Sequence, residues 1–182
     1  MVSILMNLDS VSASLEGQDL HHANCFACGS KNDFKLDIQS RFDPVKREVR
    51  FPYRISGPCE GAPGHAHGGF LATLVDEAQG VLCHHLGYFV MTDNIFINYR
   101  QAVPLRAALQ VRAWITMVRR KRLYTKATIC DQNGKVLLES KARWYIIPDR
   151  LLLSRFSTAA NNEHLKHLTE TLKVNKSRRK RK

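Results

Sequence analysis

The sequence predicts an α+β protein built on one antiparallel sheet. Three observations carry this. Two strand-like runs precede a single helical stripe, four more strand-like runs follow it with no second helix between them, and Asn133-Gly134 marks a hairpin turn before the last run. A doubly wound parallel sheet would alternate strand and helix instead.

Residues 1–20 are weakly patterned and are expected to form an extension or a short docked helix. Phe34 to Phe42 is the first strand candidate, with Phe34, Leu36, Ile38 and Phe42 set among polar residues. Arg47 to Arg54 alternates through Val49, Phe51 and Tyr53, and the Asp43-Pro44 break between the two runs suggests a hairpin. A Gly- and Pro-rich coil, SGPCEGAPGHAHGG, follows. From Phe70 to about His85 the period changes: Leu71, Leu74, Val75, Ala78 and Leu82 form one helical stripe. Asp93 to Val103, Leu109 to Val118, Leu123 to Asp131 and Val136 to Ile147 are the remaining strands, the last ended by Pro148. One helix covers a six-stranded sheet only if the sheet curls around it. The face opposite the stripe carries Thr73, Asp76 and Gly80 rather than a Lys/Glu mixture, so a second subunit is expected against that side.

The chain has 182 residues, with 28 Lys+Arg against 16 Asp+Glu, a net charge of +12 and a hydrophobic share of 44%. This length suits one or at most two domains with a real core, and charge interrupts every apolar run well before the roughly 18 residues of a spanning helix. Residues 150–182 hold ten Lys/Arg and two Glu, a net of +8, which leaves +4 on residues 1–149. Composition therefore does not require the folded body to bind nucleic acid. Five cysteines, an odd number, suit free thiols better than a disulfide framework, and the N-terminus lacks a basic region and a long enough apolar stretch for a secretory signal. The expectation is a cytoplasmic protein with an extension (1–20), a catalytic or binding domain (21–149), and an amphipathic helix with a basic tail (150–182). That helix would run through Leu151, Leu152, Phe156, Leu165, Leu168 and Leu172.

Chemistry concentrates in GAPGHAHGGFLATLVDEAQG, residues 61–80. His67-Gly68-Gly69 sits where coil becomes helix, and a helix N-terminus offers unpaired N–H groups and the positive end of the dipole. The Gly68 N–H could hold an oxyanion developing on a carbonyl. Asp76 lies further along the helix on the non-core face, where a carboxylate is costly unless solvated or used. Polarising N–H plus carboxylate describes an acyl-transfer site; a tight helix start and a surface acid is the plainer alternative.

The same segment, followed by Thr92 and then by NIFINYRQAVPL, resembles the hotdog-fold acyl-CoA thioesterases, specifically the phenylacetyl-CoA thioesterase branch and its mitochondrial relatives. The resemblance spans roughly residues 24–147 and implies a curved antiparallel sheet wrapped around one central helix. It implies Asp76 as catalytic carboxylate, acting as general base or nucleophile, the Gly68 N–H as polarising group, and Thr92 as the group that positions the carboxylate or the water. It further implies a site completed across a dimer interface, within a homodimer or a dimer of dimers. His67 and Gly69 border the substrate, while Asn98, Arg100, Lys121 and Arg122 fall where the family binds CoA. Cationic residues between two strands suit the CoA phosphates. Phe70, Leu74, Tyr88, Phe89 and the partner chain are expected to line the acyl pocket. No metal or organic cofactor is required by this chemistry.

The chain departs from the family pattern at Gly61, where that branch carries an Asn, and at Ala102, where a proline is common. His65 reads as a loop histidine and Glu77 as a surface or interface acid. His22, Cys25 and Cys28 have spacings that half a zinc site could use, but no second pair completes a ligand set, so no metal is expected. Cys83-His84-His85 reads as an apolar cysteine with exposed or capping histidines. The basic tail reads as a solvated end, a nucleic-acid or localisation patch, or a contact with an anionic membrane. The rival to an enzyme is a non-catalytic acyl-CoA-binding module acting as sensor or scaffold through that tail. Asp76 and Thr92 together favour the enzyme, because a binding pocket has no need of a carboxylate beside a thioester carbonyl.

Overall fold

The computed structural model describes residues 25–27, 29, 31–33, 35–148, 151, 169–170, 172–174 and 176–177. The extension at 1–20, His22, Cys28 and most of the expected C-terminal helix and tail lie outside the described residues. Within that region Thr169, Glu170 and residues 172–174 are helical, and Leu172 is buried.

The elements are β1 (Arg41–Asp43), β2 (Glu48–Arg54), a 3-10 turn (Gly57–Cys59), α1 (Gly68–His85), β3 (Val90–Tyr99), β4 (Ala108–Arg119), β5 (Arg122–Asp131) and β6 (Val136–Ile146). The six strands form one sheet in the order β1-β2-β4-β5-β6-β3, with every neighbouring pair antiparallel. β3, which follows the helix, therefore crosses to the far edge, beside β6. The expected fold class is the observed one.

Several boundaries differ for local reasons. Of residues 35–42, only the end enters β1, because Asp37 takes a positive φ of 50° that breaks the pleat, and Phe34 lies outside the described residues. Leu36 is instead pinned by its N–H to the Ala27 carbonyl and by its own carbonyl, which accepts from the Tyr53 hydroxyl. The turn at 44–47 is organised by Asp43 Oδ1, which accepts the N–H groups of Val45 and Lys46 at 2.9 Å. The Asn133-Gly134 turn is wider than a two-residue hairpin: only Gly134 has positive φ, and Asp131 Oδ1 gathers the N–H groups of Asn133 and Lys135. The tight turn of the sheet lies at Arg120-Lys121, where Arg120 has φ 52°. β3 runs from Val90 to Tyr99, earlier than the expected 93–103.

α1 lies on the inner face of the sheet. Leu74, Val75, Ala78, Val81 and Leu82 are fully buried against Val49, Phe51, Val111, Ala113, Ala127, Ile129 and Leu138. Leu74 thus belongs to the core rather than to an open acyl pocket. Three helix residues expected on exposed or subunit-facing positions are enclosed by the chain itself. Gly80 lies 3.8 Å, measured from the position of a Cβ, from the Trp144 ring; Glu77 is buried; and His84 is buried. The curl of the sheet around the helix encloses more of its circumference than the apolar stripe alone predicts. His85 stacks on Phe42 with ring centroids 4.9 Å apart.

A buried polar network bolts α1 to the sheet. Gln79 donates through Nε2 to the Val75 carbonyl at 2.9 Å and to Ser140 Oγ at 3.0 Å. Its Oε1 accepts from the Thr125 hydroxyl at 2.7 Å, and Thr125 Oγ1 accepts from Trp144 Nε1 at 2.8 Å. On the outer face Glu48, itself 1% exposed, is gripped by Arg50 (2.6 Å) and Arg112 (2.6 Å). Burial alone would raise the Glu48 carboxyl. The hydrogen bonds and charges of Arg112 and Arg50 together outweigh it and hold the group below the usual carboxylate value.

Two predictions follow from these networks. Replacing Gln79 by Leu keeps the bulk but strips partners from Thr125 and Ser140. Urea unfolding should show a loss of about 2–4 kcal/mol. Because the Glu48 pKa is lowered on folding, its stabilisation is present above its ordinary value of 4.5 and disappears as pH falls through the folded pKa. In urea titrations the deficit of Glu48→Gln against wild type should be clear near about pH 7 and shrink toward about pH 3; a deficit constant with pH would show that packing, not charge, is lost.

Candidate active site

α1 begins one residue after His67, which has extended dihedrals (φ −66°, ψ 134°) and acts as N-cap: its Nδ1 accepts the Gly69 N–H at 2.9 Å. The loop ahead of it is fixed by its own backbone. His67 N–H donates to the Cys59 carbonyl, Gly61 N–H to His65, Ala66 N–H to Val103, and Leu105 N–H to Gly64. Glu60 Oε1 accepts the Gly64 N–H. A Cβ on Gly61 would lie 2.7 Å from His67 Cα, so this position must be glycine for His67 to sit where it caps the helix. That is the physical content of the Gly61 departure. Gly69 is similarly tight, at 3.0 Å from His67 Nδ1.

Gly68 is the first residue of the helix, so its N–H has no carbonyl one turn back and takes the positive end of the helix dipole. The Tyr99 hydroxyl donates to the Gly68 carbonyl at 2.9 Å. Further along α1, Asp76 is half-buried and its Oδ1 accepts from the Thr92 hydroxyl at 3.1 Å. Cys83 is fully buried on the same helix; burial first, and then the charge of Asp76, push its thiol well up, so it stays protonated and is no nucleophile.

The remaining expected site residues sit elsewhere on the sheet. A register shift between Thr92 and Asn94 makes Asp93 the extra residue of a β-bulge. Asp93 Oδ2 takes Arg122 Nε at 3.0 Å and Arg143 Nε at 2.7 Å, and Arg122 also lies over the Tyr145 ring. Arg122 is thereby tied to the strand position next to Thr92, with Lys121 exposed in the adjoining turn. Asn98 pairs with Glu139 in the ladder and lies away from α1. Arg100 places Nε and a terminal nitrogen on Glu139 Oε2 at 3.0 and 2.8 Å. Within one chain His67, Gly68, Gly69, Asp76 and Thr92 are therefore gathered along one helix, while Asn98 and Arg100 are not. His65 is a loop residue, its Nδ1 2.9 Å from the Pro63 carbonyl. No group of His, Cys, Asp and Glu that could hold a metal occurs among the described residues.

Sequence reasoning missed Tyr99, Asp93 and Gln79. Gln79, a polar residue amid the apolar helix, was a visible signal. Tyr99 was not, since strand alternation places it opposite Thr92 unless the bulge is known.

Residues 63–138 match the Thioesterase superfamily model. Acyl-coenzyme A thioesterase THEM4 of Rattus norvegicus is 32% identical over 78 residues, covering 43% of this chain and 34% of the relative. The Bos taurus protein of that name is 30% identical over 91 residues, covering 50% and 37%. The chain thus spans little more than a third of the length of these relatives. Among solved structures, a thioesterase superfamily protein superposes with a TM-score of 0.63 at 23% identity, covering 69% of this chain and 61% of its own. A hypothetical thioesterase of Streptococcus pneumoniae with coenzyme A gives 0.53 at 24% identity, covering 54% and 80%. Asp-to-Ala and Thr-to-Ala mutants of the S. pneumoniae hypothetical thioesterase give 0.54 and 0.56. The PaaI protein of E. coli gives 0.52 at 15%, covering 54% and 75%. The match over residues 63–138 makes this chain similar to the Thioesterase superfamily, and the strand order around one central helix is that of the hotdog fold.

Proposed function

We propose that the domain hydrolyses an acyl- or aryl-CoA thioester to the free acid and CoA. The observation that carries this is the Thr92 hydroxyl on Asp76 Oδ1, a carboxylate held in one orientation on the same helix whose first N–H is Gly68. Support comes from the acyl-coenzyme A thioesterase relatives and from the coenzyme A held by the S. pneumoniae neighbour. The Asp and Thr mutated in that protein stand sixteen residues apart, as do Asp76 and Thr92.

This reading calls for a second copy. Gly68 and Asp76 are eight residues apart on one helix, about 12 Å along its axis, too far for one carbonyl carbon to meet both. Two helices side by side in opposite directions would bring Gly68 of one chain to Asp76 of the partner subunit, making two sites per dimer. β3 is a sheet edge with Met91, Phe96 and Tyr99 exposed, which suits a dimer contact on that side.

In each site the thioester oxygen lies on the Gly68 N–H. Asp76 acts as general base, taking a proton from the attacking water, or attacks the carbonyl carbon itself to give a mixed anhydride that water then hydrolyses to the free acid and the Asp76 carboxylate. The C–O bond forms, negative charge develops on the oxygen facing Gly68, and the C–S bond then breaks. CoA leaves as thiolate and takes up a proton. Thr92 orients the carboxylate. Lys121, exposed in the turn beside Thr92, takes the CoA phosphates; Arg122, held by Asp93, and Arg100, held by Glu139, contribute less.

Wild type and Asp76→Ala should be assayed against short, medium, long and aryl acyl-CoAs by thiol release. Turnover on at least one class should fall about a hundredfold or more in the mutant while the assembly stays intact. Binding of acyl-CoA without turnover by the wild type would replace the enzyme with a binding module.

A further inference from the structure

The site's two anchoring hydroxyls, from Thr92 and Tyr99, come from one strand although their spacing forbids it in a regular one. Residues seven apart in a strand face opposite sides of the sheet. The bulge at Asp93 changes the parity. Thr92 lies opposite Trp144 and Tyr99 opposite Leu138, both buried residues of the inner face, so both side chains reach α1. Thr92 meets Asp76 at 3.1 Å and Tyr99 meets Gly68 at 2.9 Å.

At Gly68 the Tyr99 contact completes a set of restraints on two successive peptide planes. The peptide between Gly68 and Gly69 is held at both ends, its carbonyl by Tyr99 and its N–H by His67 Nδ1. The preceding peptide is held at its oxygen, because the His67 carbonyl accepts the Leu71 N–H at 3.2 Å. The Gly68 N–H belongs to that preceding plane and points opposite its carbonyl. With both planes fixed, its direction is fixed as well. The Tyr99 ring adds contact at 3.7 Å from where a Gly68 Cβ would be.

We propose that Tyr99 is a positioning residue for the polarising N–H of Gly68, and that the Asp93 bulge exists in this strand to put Tyr99 and Thr92 on the same face. The proposal rests on the thioesterase reading. Removing the hydroxyl alone leaves the ring and its packing in place, so the loss falls on the direction of one N–H. That separates positioning from stability.

The test is Tyr99→Phe in the full chain, which keeps the ring and removes the hydroxyl. With the best acyl-CoA of the panel, kcat should fall about tenfold with KM within about twofold. The thermal midpoint should stay within about 2 °C of wild type. A kcat within twofold of wild type overturns the proposal, and so does a fall in kcat matched by a loss of thermal stability. Amide exchange at Gly68 and Gly69, read by NMR, decides independently of turnover. Faster exchange at these two amides in Tyr99→Phe, with the remainder of α1 unchanged, is the expected result, and unchanged exchange overturns the clamp. If wild type turns over no acyl-CoA, the thioesterase reading fails by itself, and the exchange measurement still rules on whether Tyr99 sets this helix end.

Discussion

The structure depends on the seating of one helix in the hollow of one sheet. α1 supplies the apolar row that the inner faces of β2, β4, β5 and β6 close upon, and it also carries Gly68 and Asp76. A rotation of the helix about its axis would expose its core residues and displace both chemical groups together. The Gln79 network resists that rotation specifically. Apolar contacts tolerate sliding, whereas two directional hydrogen bonds from a helix side chain to two strands, at Ser140 and Thr125, with Thr125 in turn held by Trp144, do not.

A second constraint acts at the helix start. His67 has to cap Gly69, Gly61 has to leave room for His67, and three backbone bonds hold the approaching loop to Cys59 and to the 103–105 segment. The glycines of this segment thus serve two ends. Gly61 and Gly69 permit close packing around His67, and Gly68 opens the helix with an N–H directed outward. Rigidity is what such an N–H needs, since a donor aimed in advance costs no reorganisation when charge develops on a substrate oxygen.

Charge is arranged with similar economy on the outer face. Glu48 sits between Arg50 and Arg112, Asp93 between Arg122 and Arg143, and Glu139 takes Arg100. Each of these carboxylates cross-links neighbouring strands. The Asp93 cluster does so beside Thr92, so a structural ion pair and the proposed CoA-binding cations share the same end of the sheet.

The sequence by itself determined the element types, their order and the fold, because strand alternation, a single helical stripe and turn residues are local signals that agree with one another. It also singled out His67, Gly68 and Asp76, since a glycine pair at a helix start and a carboxylate on its polar face are legible from spacing, whereas Thr92 came only through the resemblance to a known family. Only the tertiary structure decided the rest. That Asp37 ends the first strand pattern, that Glu77 and His84 are buried, and that Arg100 is spent on Glu139 all depend on what lies across the sheet or around its curl. The bulge at Asp93 is the clearest case. It shifts pairing by one residue, carries Tyr99 to the face of Thr92, and leaves no mark in a sequence pattern, because register is a property of two strands and not of one.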